Sequence, residues 1–128
     1  MRLGLITDIH EAVGHLGKAL ERLKEERVDQ VFVLGDVCDI FHGHDRLEET
    51  CRLLSSANAV GVWGNHDYRF CVEKDPLVRA EYPAVVIDYL DSLRPRLEID
   101  GCLFSLRKRF EQKKQHHTLL PRWPSPVR

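Results

Sequence analysis

The fold of this chain follows from the stretch VFVLGDVCDI, residues 31 to 40. Residues 31–34 are apolar and rich in valine, as in a fully buried strand, and they run without a break into Gly35 and Asp36. Asp39 follows three positions later. A buried strand that ends on two carboxylates is either followed by an ordinary turn or holds a charge in place. The segments on either side of the stretch separate these two interpretations.

Two further apolar runs resemble the first, LGLIT at 3–7 and AVGVW at 59–63. Between the three runs, apolar residues recur at steps of three and four, which predicts amphipathic helices over roughly 12–26 and 45–56. The order β-α-β-α-β requires right-handed crossovers between parallel strands. The expected fold class is therefore α/β, with a parallel core covered by helices.

The second half of the chain is less regular. Pro83 fits the first turn of a helix that carries Val86, Leu90 and Leu93. The stretch RLEIDGCLFSL at 96–106 predicts two strands joined by a hairpin turn at Asp100-Gly101. From residue 107 onward the periodicity is lost. We expect one domain over 1–106 and a basic, disordered tail over 107–128.

Composition limits the classes of function. The chain has 128 residues, enough for one domain, with 43% hydrophobic and 30% charged residues. Residues 1–100 carry a net charge of −7, and residues 101–128 carry +6. No signal peptide or membrane span is visible, and the four cysteines lack zinc-finger spacing, so we expect a cytoplasmic protein with reduced thiols. The basic tail leaves nucleic-acid binding as a weaker alternative, to be tested by deleting it.

Each of the three expected strands ends on polar residues that could bind a metal. The first ends on Asp8 and His10, the second on Asp36 and Asp39, and the third on the sequence Gly-Asn-His-Asp at 64–67. Each group alone could be a turn. The carboxyl ends of parallel strands meet at one edge of a sheet, however, so all three groups should be neighbours. Carboxylate, imidazole and amide ligands suit divalent ions such as Mn, Fe or Zn.

The motifs DIH, GDVCD and GNHD, in this order, resemble those of the calcineurin-like metallophosphoesterase superfamily. The segment DIHEAVGHLGKALERL is most similar to the compact bacterial phosphodiesterase branch. The resemblance is close over 1–70 and looser over 71–106. It implies the N-terminal part of a four-layer α/β/β/α sandwich whose second sheet is incomplete.

The resemblance also implies a substrate and a set of metal ligands. A hydroxide activated by two divalent ions (Mn, Fe, Zn or Ni) would hydrolyse a phosphomonoester or phosphodiester. Asp8 and His10 would bind the first ion, Asp36 would bridge both ions, and Asn65 would bind the second. His66 would act near the leaving group as a general acid or charge stabiliser, oriented by Asp39.

The sequence departs from the family pattern beyond the third motif. The family continues to a lone histidine and then to Gly-His-x-His, and this chain contains no Gly-His-x-His. The only later histidines, His116 and His117, are adjacent in the basic tail. His42 and His44 follow the second motif and either line a substrate pocket or lie in a solvated loop. We therefore expect a weak second metal site in a truncated or frameshifted chain. The alternative function is a catalytically inactive metal-binding or interaction module, and an incomplete sheet could promote self-association.

Overall fold

Three parallel strands form the centre of the computed structural model, which describes residues 1–39, 41 and 43–105. The strands are β1 (Leu3–Ile6), β2 (Gln30–Leu34) and β3 (Val60–Val62), and they lie side by side in the order β1-β2-β3. The register pairs Gly4 with Val31 and Val33 with Gly61. The parallel core predicted from the sequence is confirmed, and all three carboxyl ends lie at one edge.

Two helices connect these strands, as predicted: α1 (Val13–Glu25) and α2 (Leu47–Ser56). The apolar residues of β2 alternate between the two faces of the sheet. Val31 and Val33 belong to the core that the helices cover, together with Leu16 of α1 and Leu54 of α2. This core fixes the positions of the strand ends because β2 is almost entirely buried.

Strands β2 and β3 approach each other too closely for a side chain at position 61. A Cβ atom added to Gly61 would lie 2.3 Å from the carbonyl oxygen of Val33 and 2.9 Å from its Cβ. Glycine is therefore required at this point for steric reasons. The close contact brings the ends of β2 and β3 together, and with them the second and third polar motifs.

The segment between β3 and the next long helix was not predicted in detail. It contains a 3₁₀ turn at Asn65–Asp67, a π-helical turn at Arg69–Glu73 and a short helix, α3 (Pro76–Arg79). Such short elements have no sustained periodicity in the sequence. The predicted helix after Pro83 is present as α4 (Ala84–Ser92), which packs on α2 through buried Val86 and Leu90.

A small hairpin contacts the other face of the parallel sheet at Phe32. It consists of β4 (Arg96–Ile99) and β5 (Cys102–Ser105), which are antiparallel. Asp100 and Gly101 form its turn with φ angles of 51° and 78°, as the Asp-Gly pair predicts. The ring of Phe104 in β5 lies 4.4 Å from that of Phe32 in β2. The described residues thus form a mixed α/β fold with helices, a parallel sheet and a two-stranded second sheet.

Several sequence predictions lie outside the described residues. These are the basic tail at 107–128 with His116 and His117, and His42 in the loop after β2. Within the described ranges, no helix is long and apolar enough to cross a membrane. The cysteines there are free thiols, of which Cys38 and Cys51 are buried.

Candidate metal centre

Main-chain hydrogen bonds join the loops that follow β1 and β2. The N–H of Asp8 donates to the carbonyl oxygen of Gly35 (3.3 Å), and the N–H of His10 donates to that of Asp36 (3.0 Å). Asp8, His10 and Asp36 have φ angles of 54°, 45° and 56°, in the left-handed region that residues with a Cβ seldom occupy. Three such residues in contact indicate local strain of the kind that collects at functional sites.

This backbone geometry brings three ligand atoms together. One carboxylate oxygen each from Asp8 and Asp36 and one imidazole nitrogen from His10 all lie within 4.8 Å of one another. His10 Nε2 is 3.4 Å from Asp8 Oδ1, and His10 Nδ1 is 3.3 Å from the carbonyl oxygen of Cys38. Two carboxylates and an imidazole at this spacing fit a divalent cation of the borderline-hard type. The cluster contains the three residues predicted for the first ion.

The two carboxylates of the cluster have different environments. The Asp8 side chain is 59% exposed, and a hydrogen bond from the Thr7 hydroxyl, the largest cause, lowers its pKa. Asp36 is only 7% exposed, and burial raises the pKa of its carboxyl group even though the N–H of His66 opposes the shift. The negative charge of Asp36 is therefore unfavourable unless a cation compensates it.

The third motif lies against this cluster. The main-chain N–H of His66 donates to Asp36 Oδ1 (3.1 Å), and the imidazole rings of His66 and His10 pack edge to face with centroids 4.6 Å apart. Asn65, which precedes His66, is exposed at the start of the 3₁₀ turn. Nδ1 of His66 is buried and lacks a hydrogen-bond partner within the part of the chain that the structure describes.

Asp67, the last residue of the third motif, has a structural role. Its side chain is fully buried, with Oδ1 accepting from the N–H of Cys38 and Oδ2 accepting from the N–H of Gly64, each at 2.8 Å. Both carboxylate oxygens are thus used to join the loop after β2 to the loop after β3. The sequence grouped Asp67 with the potential ligands, and its two backbone partners could not be inferred from the motif.

A third buried carboxylate, Glu11, was missed by sequence reasoning. Its Oε2 accepts from the N–H of Asp39 (2.6 Å) and its Oε1 from the N–H of Arg46 (3.2 Å). Glu11 is 6% exposed and directly follows His10. It therefore holds both ends of the loop that follows β2. Its position next to His10, a predicted ligand, was the only sequence signal.

His44 packs inside this loop. Its Nδ1 lies 2.9 Å from Glu11 Oε2, and its ring contacts the edges of Phe70 and Tyr82 at centroid distances of 5.2 and 6.4 Å. The sequence left two alternatives for His44, a residue that lines a substrate pocket or one in a solvated loop. Only 15% of the His44 side chain is exposed, so the solvated-loop alternative is wrong.

Asp39 lies at the start of the same loop. Its Oδ1 accepts a hydrogen bond from the N–H of Phe41 (3.0 Å), an Asx-type turn. Its predicted role in orienting His66 stays a prediction.

Comparisons with known proteins agree with these motifs. A family model described as the calcineurin-like phosphoesterase superfamily domain matches residues 1–120. A phosphodiesterase from Methanocaldococcus jannaschii is 27% identical over 104 residues, which are 81% of this chain and 56% of the relative. A crystal structure of a metallophosphoesterase from Sphaerobacter thermophilus gives a TM-score of 0.51 at 26% identity, covering 77% of this chain and 44% of that one. The chain spans about half the length of these relatives.

Proposed function

Since the chain belongs to the calcineurin-like phosphoesterase superfamily, we propose that its candidate metal centre serves the metal-dependent hydrolysis of phosphate esters. The supporting observation is the convergence of Asp8, His10 and Asp36, whose ligand atoms lie within 4.8 Å of one another. Both phosphomonoesters and phosphodiesters fit this proposal. The phosphodiesterase from Methanocaldococcus jannaschii favours a diester as the first substrate to test.

The residues of this chain would hold the metal in a defined way. Asp8, His10 and Asp36 would bind the first divalent ion, and Asp36 would share its carboxylate with a second ion bound by Asn65. When bound, such ions activate water and stabilise the negative charge that develops on the phosphate oxygens. Manganese is the most convenient ion for the test, with iron, zinc and nickel as alternatives.

His66 is proposed to protonate the leaving group. Its ring packs on His10, which places it beside the ligand cluster, and its backbone is fixed by the hydrogen bond to Asp36. Because Nδ1 is buried, Nε2 is the ring nitrogen that we assign to the proton transfer. Asp39 would orient the imidazole, and Glu11 fixes the position of Asp39 through its N–H.

A second candidate function is metal binding without turnover. It is favoured by the ligands that the described residues provide. Within the described residues, the one group of three ligands would serve the first ion, and the second would depend on Asp36 and Asn65. A module of this kind would bind about one ion per chain and would leave a phosphate ester intact.

The experiment that separates the two functions measures metal content and hydrolysis on the same sample. The full chain is loaded with Mn²⁺, desalted and analysed for metal, and hydrolysis of bis(p-nitrophenyl) phosphate is followed in parallel. The Asp36→Asn variant should lose both the metal and the turnover. Asp88→Asn, an exposed position in α4, is the matched control and should retain both. Metal binding without turnover supports the second function, and absence of metal contradicts both.

A further inference from the structure

Phe41 is a large apolar side chain exposed beside the metal centre. Its relative exposure is 76%, and its ring centroid lies 5.7 Å from that of His66 in an edge-to-face arrangement. The His66 ring in turn lies 4.6 Å from the His10 ring, which belongs to the ligand cluster. Three aromatic rings therefore extend from the metal ligands to the solvent.

The loop that carries Phe41 is held by hydrogen bonds near both of its ends. The N–H of Phe41 donates to Asp39 Oδ1 (3.0 Å), and the N–H of Asp39 donates to Glu11 Oε2 (2.6 Å). On the far side of the loop, the N–H of Arg46 donates to Glu11 Oε1 (3.2 Å). Because the Glu11 side chain is buried, it fixes the backbone of Asp39 and Arg46 at the two ends of this loop before any ligand arrives.

An exposed aromatic ring that packs on His66 beside the proposed metal centre has a specific physical consequence. Its apolar surface remains in water unless a ligand covers it. A ligand that places its phosphate at the metal centre would bring its ester group toward the free face or edge of Phe41. An aromatic ester group would gain an offset or edge-to-face contact there, whereas a small alkyl group would gain little.

We propose that Phe41 makes this site selective for phosphate esters that carry an aromatic ring, such as aryl or nucleoside esters. The inference rests on the proposed function and specifies its substrate class. His66 serves both parts of the site, because it faces the ligand cluster on one side and Phe41 on the other. An aromatic pair of this kind contributes a preference of roughly 3- to 10-fold in affinity.

The test compares two ligands that differ only in the ester group. The full chain is loaded with Mn²⁺, and the affinities of phenyl phosphate and methyl phosphate are measured by calorimetry. The wild-type protein should bind phenyl phosphate roughly 3- to 10-fold more tightly. Phe41→Ala and Phe41→Leu should both lose this preference and keep the affinity for methyl phosphate. Phe41→Leu retains apolar bulk without the ring, so it tests whether the ring itself is needed. Leu77→Ala, at an 80% exposed position in α3, is the matched control and should keep the preference.

The outcomes separate this inference from the proposed function. The substrate class is contradicted if the wild-type protein binds the two ligands with equal affinity, or if both Phe41 variants keep the preference. Either result would leave the proposed metal-dependent phosphate site intact. If the protein binds no Mn²⁺, or binds neither ligand in its presence, the proposed function fails and this inference fails with it. Thermal melts of the Phe41 variants verify that each is folded.

Discussion

The main-chain N–H of His66 donates a hydrogen bond to Oδ1 of Asp36 across 3.1 Å. This contact joins the ends of β2 and β3 through the carboxylate that also belongs to the ligand cluster. Asp36 thus organises the backbone around His66 and supplies negative charge to the proposed metal site. The two roles have opposite consequences for stability, because the hydrogen bond is favourable and the buried charge is not.

Replacing Asp36 with asparagine should therefore stabilise the metal-free protein. Asparagine can still accept the hydrogen bond from His66, but it removes a carboxylate whose pKa is raised by burial. We expect a higher Tm for this variant than for the wild type, measured in EDTA at pH 7. The same variant should show no increase in Tm when Mn²⁺ is added.

Asp8→Asn is the control for this prediction. The Asp8 carboxyl is exposed and its pKa is lowered, chiefly by the Thr7 hydrogen bond, so removing its charge should not raise the Tm in EDTA. Both variants should lose the stabilisation by Mn²⁺. A lower Tm for Asp36→Asn than for the wild type in EDTA would show that the buried charge is not the dominant effect.

Asp67→Asn should destabilise the protein strongly. Both oxygens of Asp67 accept backbone N–H groups, from Cys38 and Gly64, and an amide can accept only one of them. The other N–H would be left facing an NH₂ group in a buried site, at a cost of about 1–3 kcal/mol. Urea denaturation should show this loss, with Asp88→Asn close to the wild type. An Asp67→Asn variant as stable as that control would contradict the structural role.

Two glycine-to-alanine substitutions should change stability in opposite directions. Gly61→Ala adds a Cβ that would lie 2.3 Å from the carbonyl oxygen of Val33, so β2 and β3 must separate and the Tm should fall by several degrees. Gly17→Ala lies within α1 and has no neighbouring atom within 4 Å of the added Cβ. It should raise the stability by about 0.5–1 kcal/mol. A stable Gly61→Ala variant would indicate a wider spacing of these strands.

The ion pair between Asp91 and Arg79 should make a pH-dependent contribution to the free energy of unfolding. The Arg79 guanidinium forms two hydrogen bonds to Asp91, at 2.9 and 2.7 Å, and these hold the pKa of Asp91 below its ordinary value. The folded protein therefore binds a proton at Asp91 less readily than the unfolded chain does. The stabilisation is complete above the ordinary Asp pKa of the unfolded chain. It is lost as the pH falls through the lowered pKa of Asp91 in the folded protein.

Asp91→Asn should accordingly be less stable than the wild type at pH 7. Because the Asp91 side chain is 36% exposed, solvent screening limits the difference to about 0.5–1 kcal/mol. Urea titrations at descending pH should show the difference shrinking below the ordinary Asp pKa of 3.8. A difference that stays constant over this range would mean that the charge of Asp91 is not responsible.

Much of this architecture could be predicted because it depends on local patterns. The strand at 31–34 follows from a run of apolar residues, and the helix that begins at Leu47 follows from their spacing. The hairpin turn at Asp100-Gly101 follows from the positive φ angles that these two residues accept. The meeting of Asp8, His10 and Asp36 follows from the geometry of parallel strands.

The remaining features depend on contacts between distant segments. Glu11 reaches Arg46 and Asp67 reaches Cys38, 35 and 29 residues away along the chain, and no local pattern distinguishes these buried acids from exposed ones. The exposure of Phe41 could not be predicted either, since an apolar residue after a strand is normally assigned to the core. The sequence predicts the candidate ligands, whereas the structure shows which contacts hold them in place.

The most direct test of the central claim is a calorimetric titration of the metal-free full chain with Mn²⁺, for the wild type, Asp36→Asn and Asp88→Asn. If Asp8, His10 and Asp36 form a metal site, the wild type and Asp88→Asn will bind at least one ion per chain, and Asp36→Asn will lose that binding. A wild-type protein that binds no ion, or an Asp36→Asn variant that binds as tightly as the wild type, would contradict the account.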